Sequence, residues 1–167
     1  DYYDISQDIL ALSNKPIIVI TAGPKAILDI EKTIEALETA SVTLLGYKTK
    51  EVPSFYSIKS NCFDLHQVDS AREISEIYTK NIEVGLSSST LVCNPIPKKH
   101  EIPANEIKEI IELACTTAKN RNVFGKRLTP FLLSEIVKKT KGKSLSANIE
   151  LALNNISLGI DILRHLK

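Results

Sequence analysis

The stretch Ile17-Ile18-Val19-Ile20-Thr21-Ala22-Gly23-Pro24-Lys25-Ala26-Ile27-Leu28-Asp29 decides how the rest of the chain is read. A short apolar run rich in β-branched residues stops at Gly23-Pro24, and Lys25 then opens an amphipathic pattern. The run is too short to span a membrane and reads as a buried strand, Pro16–Thr21. Ile27, Ile30, Ile34 and Leu37 follow at helical spacing. Lys25 therefore falls on or beside the first turn of a helix, at the carboxyl end of a strand, where α/β proteins bind ligands. The positive end of a helix dipole disfavours the charged form of a lysine and favours a neutral, nucleophilic amine. A solvated lysine at a helix start gives the same local pattern, so spacing alone leaves both readings open.

Outward from this stretch, short apolar runs alternate with helical patterns. Val42–Tyr47 and Thr90–Cys93 read as further strands, separated by a polar, irregular segment, Lys48–Ser60, that contains Val52-Pro53-Ser54-Phe55-Tyr56. Ser70-Ala71-Arg72-Glu73 is a capping-box start for a helix carrying Ile74 and Ile77. A helix over Pro103–Lys119 places Ile107, Ile110, Ile111, Ala114 and Cys115 on one face. Thr129-Pro130 reads as an N-cap and first-turn pair. The last helix runs from near Ser144 to Leu163, with Ile149, Leu153, Ile156, Ile160 and Leu163 expected to face a core. Asn148 and Asn155, seven apart, share another face two turns from each other. The alternation predicts an α/β fold, a layered α/β/α sheet with flanking helices. No repeat or linker divides it, so residues 1–167 read as one unit.

Composition narrows the function. The 167 residues are 43% apolar and 25% charged, which suits one globular unit. A formal charge of +1 gives no electrostatic case for a nucleic acid polymer or an acidic membrane. No apolar run has membrane-spanning length. Cys62, Cys93 and Cys115 are odd in number and widely spaced, without the pattern of a zinc site; they point to a reducing, intracellular compartment, and a cytoplasmic one before an organelle. His66, His100 and His165 are far apart in sequence and read as structural or surface residues. The chain begins at Asp1 and has no methionine, which reads as a fragment of a longer product.

The motifs carry a resemblance. Ala22-Gly23-Pro24-Lys25-Ala26-Ile27-Leu28-Asp29-Ile30, Leu37-Glu38-Thr39 and Leu45-Gly46-Tyr47 are followed in register by Asn94-Pro95-Ile96-Pro97, Gly125-Lys126 and Thr129-Pro130-Phe131-Leu132-Leu133. Ser144-Leu145-Ser146-Ala147-Asn148-Ile149 and Leu153-Asn154-Asn155 complete the series, with Asp4-Ile5-Ser6-Gln7-Asp8 upstream. In this order the pieces resemble the pseudouridine-5′-phosphate glycosidase family, also called indigoidine synthase A-like, over its C-terminal half.

The resemblance implies that this chain is the C-terminal part of a larger single domain. It also implies reversible cleavage of the C–C glycosidic bond of pseudouridine 5′-phosphate to uracil and ribose 5-phosphate. Lys25 would attack C1′ and form a covalent lysine–ribose imine. The chemistry is sensible, because a C–C bond offers no leaving oxygen or nitrogen to protonate and defeats the two-carboxylate route of ordinary glycosidases. The resemblance further implies a manganese ion, or another divalent cation, at Asp4, with Ser6, Gln7, Asp8 and Asn148 touching substrate. Taken alone, the Asp4–Asp8 spacing also fits turn and helix-cap residues. Asp29, one turn after Lys25, reads as a positioning group. The family's general-acid glutamate and a phosphate-contacting lysine belong to its N-terminal half, so that half is an expected partner. A homotrimer is expected too, with Lys48–Tyr56 as a candidate intersubunit contact. Two other classes stay open: a Schiff-base lyase acting on another phosphosugar, and a non-catalytic remnant of the fold.

Overall fold

The computed structural model describes residues 8–24, 30–60 and 65–166. In chain order they form α1 (Asp8–Ser13), β1 (Ile18–Thr21), α2 (Ile30–Thr39), β2 (Thr43–Tyr47), β3 (His66–Val68), α3 (Ala71–Glu83) and β4 (Thr90–Cys93). Three helices follow: α4 (Ala104–Asn120), α5 (Leu128–Lys139) and α6 (Lys143–Leu163). The four strands make one sheet in the order β1-β4-β2-β3, all parallel.

Parallel strands buried on both faces need apolar residues at every position. β4, between β1 and β2, meets this at Leu91, Val92 and Cys93; its first residue, Thr90, is buried too, and its Oγ1 accepts from Asn81 Nδ2 at 3.4 Å. Leu91 and Cys93 pack with Ile34 and Leu37 of α2, while Val92 packs with Ile74 of α3 and with Leu158 and Ile162 of α6. The sheet is thus a layer between α1–α2 and α3–α6, the α/β/α arrangement the sequence predicts. A third cluster lies beyond the carboxyl ends of β1 and β4. There Ala22 and Ile96 meet Ile107, Ile111 and Ala114 of α4, Leu132 and Ile136 of α5, and Ala147 and Leu151 of α6. At 21 residues, roughly 32 Å, α6 is long enough to join this cluster to the sheet core.

Several expectations hold in detail. Ser70 caps α3, its Oγ accepting from Glu73 N at 3.2 Å, and Glu73 Oε2 accepts from Asp69 N at 2.9 Å, one residue earlier than in the usual box. The structure differs in three places. A fourth strand, β3, joins the three that the sequence marks; at three residues it is too brief to show a period. α5 starts at Leu128, because the 3-10 turn Gly125–Arg127 feeds straight into it; Thr129 is therefore inside the helix, and Pro130 occupies its first turn, where a missing N–H costs little. The face of α6 is the third. Ser144, Ala147, Leu151, Leu158 and Ile162 are buried, whereas Ile149, Leu153, Ile156, Ile160 and Leu163 are exposed. The helix is apolar around most of its circumference, so periodicity alone could not choose the face.

Among the described residues no helix is long and apolar enough to cross a membrane.

One close approach sets the path of the chain leaving β1. Gly23 has φ +92°, and a Cβ added there would lie 1.8 Å from the carbonyl oxygen of Pro53. Gly85 shares the left-handed conformation, at φ +82°, but faces open space. Gly85→Ala should therefore cost about 1 kcal/mol of backbone strain. Gly23→Ala should cost distinctly more, because the clash adds to the strain. Urea unfolding of the two variants checks this, and equal losses would show that the Pro53 contact does not matter.

Candidate active site

In a parallel sheet, neighbouring strands whose chains leave to opposite faces open a crevice at their carboxyl ends. β1 leads to α2 on one face, and the adjacent β4 leads to the segment ending in α6 on the other. The chain is stapled across this point, where Asn94 N donates to Thr21 O at 2.7 Å. Thr21 Oγ1 accepts from Gly23 N at 3.2 Å and fixes the turn after β1.

Carboxamides line the face of α6 that meets these strand ends. Asn94, buried just past β4, donates from Nδ2 to Asn155 Oδ1 at 3.0 Å. Asn154 Nδ2 donates to Pro95 O at 3.1 Å. Two turns earlier on α6, Asn148 Nδ2 lies 3.5 Å from Tyr56 Oη, a weak hydrogen bond. A carboxamide presents both donor and acceptor, so this lining matches sugar hydroxyls or a nucleobase edge.

Tyr56 reaches the site from the segment between β2 and β3. Phe55 N donates to Ala22 O at 3.1 Å, and Ile102 N donates to Tyr56 O at 2.9 Å, which ties that segment to both sides of the crevice. Phe55 meets the Tyr56 ring edge-on, with centroids 4.8 Å apart. Burial pushes the Tyr56 phenol above its ordinary value of 10.0, partly offset by the Asn148 hydrogen bond. Val52, Ser54, Tyr56 and Ser57 are buried within their own chain. Beside the site, His100 Nε2 lies 3.2 Å from Glu150 Oε2, an ion-pair distance but not a hydrogen bond.

Of the residues singled out by sequence, Asn148 lies on α6 beside Tyr56. Asp8 is exposed at the first position of α1. That helix ends against the amino edge of the sheet, where Leu12 O accepts from Ser89 N at 2.7 Å, so Asp8 sits at its opposite end. Lys25, Asp29, Asp4, Ser6, Gln7 and Cys62 lie outside the described residues. Cys93 is buried as expected, and its thiol is pushed up to about 12 by desolvation. Among the described residues, no three His, Cys, Asp or Glu side chains converge on a metal position. The oxygen donors present are hydroxyls and carboxamides, which fit a hard divalent ion only if it keeps most of its water.

Sequence reasoning missed Asn94, Asn155 and Tyr56. The position of Asn94 directly after a strand was a usable signal. Tyr56 had none, because it lies in irregular chain whose fold depends on distant contacts.

Two measurements test this geometry. A double-mutant cycle on Asn94→Ala and Asn155→Ala should give a coupling of about 1 kcal/mol, whereas simple additivity would contradict the contact. Because the folded state holds Tyr56 protonated, the stability this gives is present below about pH 10 and is lost as pH climbs through the raised folded value. Tyr56→Phe should remove that part of the alkaline loss.

Comparison with known proteins places this chain in a family. A family model described as indigoidine synthase A like protein matches residues 1–165. The chain is 46% identical over 160 residues to a pseudouridine-5′-phosphate glycosidase of Petrotoga mobilis, covering 96% of this chain and 52% of that one. To the protein of the same name from Pseudothermotoga lettingae it is 42% identical over 166 residues, covering 99% and 58%. A crystal structure of an indigoidine synthase A-like protein from Thermotoga maritima matches with a TM-score of 0.85 at 36% identity, over 96% of this chain and 53% of that one. The prealnumycin C-glycosynthase AlnA, in complex with ribulose 5-phosphate, shares the fold with a TM-score of 0.84 at 24% identity, over 91% and 50%. The chain spans about half the length of the curated relatives it matches. A match over nearly all of its residues means that the chain belongs to the indigoidine synthase A-like family.

Proposed function

We propose that this chain carries the lysine-bearing half of a pseudouridine-5′-phosphate glycosidase site. The observation that carries the reading is a pair of side-chain contacts along one face of α6, Asn94 with Asn155 just past β4 and, two turns away, Asn148 with Tyr56. Lys25 follows directly in sequence from the Gly23-Pro24 turn that borders this crevice. Relatives named pseudouridine-5′-phosphate glycosidase, at 46% and 42% identity, supply the substrate class.

The Lys25 amine forms a bond to C1′ as the C1′–O4′ bond opens, and the ring oxygen takes up a proton. The nitrogen lone pair then forms C=N while the C1′–C5 bond to uracil breaks, its electrons passing to C5, which is protonated. Water hydrolyses the imine and releases ribose 5-phosphate. The carboxamides hold the ribose hydroxyls and uracil edge, and Tyr56 keeps its proton through the physiological range as a hydrogen-bond donor. Ser6, Gln7 and Asp8 belong to the substrate side in this reading, and Asp4 to a manganese ion. When bound, that ion supplies positive charge beside the anionic substrate. Turnover requires the remainder of the family's chain, which brings the general acid. A homotrimer and an intracellular role in nucleotide breakdown are part of the same proposal.

Borohydride trapping tests the centre of it. With ribose 5-phosphate present, reduction should leave a sugar phosphate on the peptide carrying Lys25. Lys25→Arg should give none, because a guanidinium stays protonated. Pseudouridine 5′-phosphate formed on adding uracil and divalent metal identifies the glycosidase. An adduct without that product points to a lyase on another phosphosugar. No adduct, in a folded protein containing the rest of the family's chain, would leave a non-catalytic remnant.

A further inference from the structure

Tyr56 carries a hydroxyl that its surroundings do not use. Its ring sits in the apolar cluster with Ala22, Ile96, Ile102 and Ile107, and the residue is only 3% exposed. Phenylalanine would fill such a place without desolvating an oxygen, so the buried hydroxyl calls for partners. A phenol accepts hydrogen bonds and donates one. Among the described residues Tyr56 Oη has one partner, Asn148 Nδ2 at 3.5 Å, and in that contact the phenol is the acceptor. No described residue receives its O–H. Ionisation does not relieve this, because burial raises the phenol above its ordinary value of 10.0 and keeps the proton in place.

The backbone is strained to put the hydroxyl there. Phe55 and Tyr56 are the central residues of a tight turn, closed by Ser54 N donating to Ser57 O at 3.0 Å and Ser57 N to Ser54 O at 3.4 Å. Phe55 has φ +58°, a left-handed conformation that suits glycine. A bulky residue persists in it only where other contacts over-determine the chain. Phe55 N is fixed on Ala22 O, Ser57 Oγ on Ile102 O, and the Phe55 ring packs edge-on against Tyr56. The donor is thus held in place before any ligand arrives. It lies beside the face of α6 that also carries Asn155, about 10 Å along the helix from Asn148. A nucleoside monophosphate can span that distance.

We propose that Tyr56 is a substrate-contacting residue, its phenol O–H donating to an oxygen of the bound ribose while Asn148 Nδ2 donates to the phenol oxygen. A hydroxyl that accepts one hydrogen bond is a stronger donor in the next, so the Asn148 contact sharpens this one. The arrangement selects a ligand that presents an acceptor oxygen at this point. It rests on the glycosidase reading and adds to it the direction of one contact.

The direction can be read in the chain joined to the remaining half of the family's fold, with tyrosine labelled with ¹³C at Cζ. The Tyr56 resonance is the one absent from Tyr56→Phe. An oxygen that accepts from the phenol favours its protonated form, so saturating ribose 5-phosphate should raise the pH at which Tyr56 ionises by about 1 pH unit, a tenfold preference. Inorganic phosphate, which brings charge without the sugar, should raise it by less than about half as much. At pH 7, Tyr56→Phe, which keeps the ring, should bind ribose 5-phosphate about tenfold more weakly. Equal affinity in Tyr56→Phe would overturn the proposal and leave the glycosidase reading intact. So would an unchanged or lowered ionisation pH with ribose 5-phosphate bound, or an equal rise with inorganic phosphate. Failure of ribose 5-phosphate to bind at all would overturn both.

Discussion

The site depends on the approach of two backbones, at Gly23 and Pro53, which only a residue without a Cβ allows. The left-handed conformation of Gly23 turns the chain out of β1, and the Pro53 carbonyl occupies the space that a side chain would fill. Phe55 N then bonds Ala22 O, and the segment between β2 and β3 is held across the carboxyl end of the sheet. Tyr56 arrives in the crevice as a consequence. Ser57 Oγ donates to Ile102 O at 2.7 Å, and Ile58 N donates to Glu101 Oε1 at 2.9 Å, fastening the same segment to the chain that enters α4.

α6 supplies the opposite wall. Its amino-terminal half packs into the helical cluster through Ala147 and Leu151, and its carboxyl-terminal half packs on the sheet through Leu158 and Ile162. Asn148 and Asn155 lie along the same wall, at the boundary of the two clusters. This explains why the buried face of the helix is the less apolar one. Small and amide side chains are needed where the helix passes strand ends and polar turns, and the large aliphatic residues are displaced to the flank.

Much of the fold was legible from the chain alone. The strand at Thr90–Cys93 was readable because Leu91, Val92 and Cys93 form an unbroken apolar run after a β-branched residue, and α3 because Ser70 and Glu73 announce its start. The placement of Asn148 and Asn155 on one face of α6, two turns apart, was visible in the spacing. The inward face of α6 was not, because both faces carry Ile and Leu and the choice is made by what packs on them. Tyr56 was equally hidden, since long-range contacts of the 54–58 segment and not any local pattern bury it.

The central claim is that the crevice at the ends of β1 and β4 receives the sugar phosphate. Side-chain amide resonances in a ¹⁵N-labelled sample test it directly, as ribose 5-phosphate is added to the chain joined to the remaining half of the family's fold. The Nδ2 groups of Asn94, Asn148 and Asn155 should shift together with one saturation curve, while Asn81, which donates to Thr43 Oγ1 near the amino end of β2, stays unmoved. Saturable shifts at Asn81, with the three crevice amides unchanged, would contradict the account.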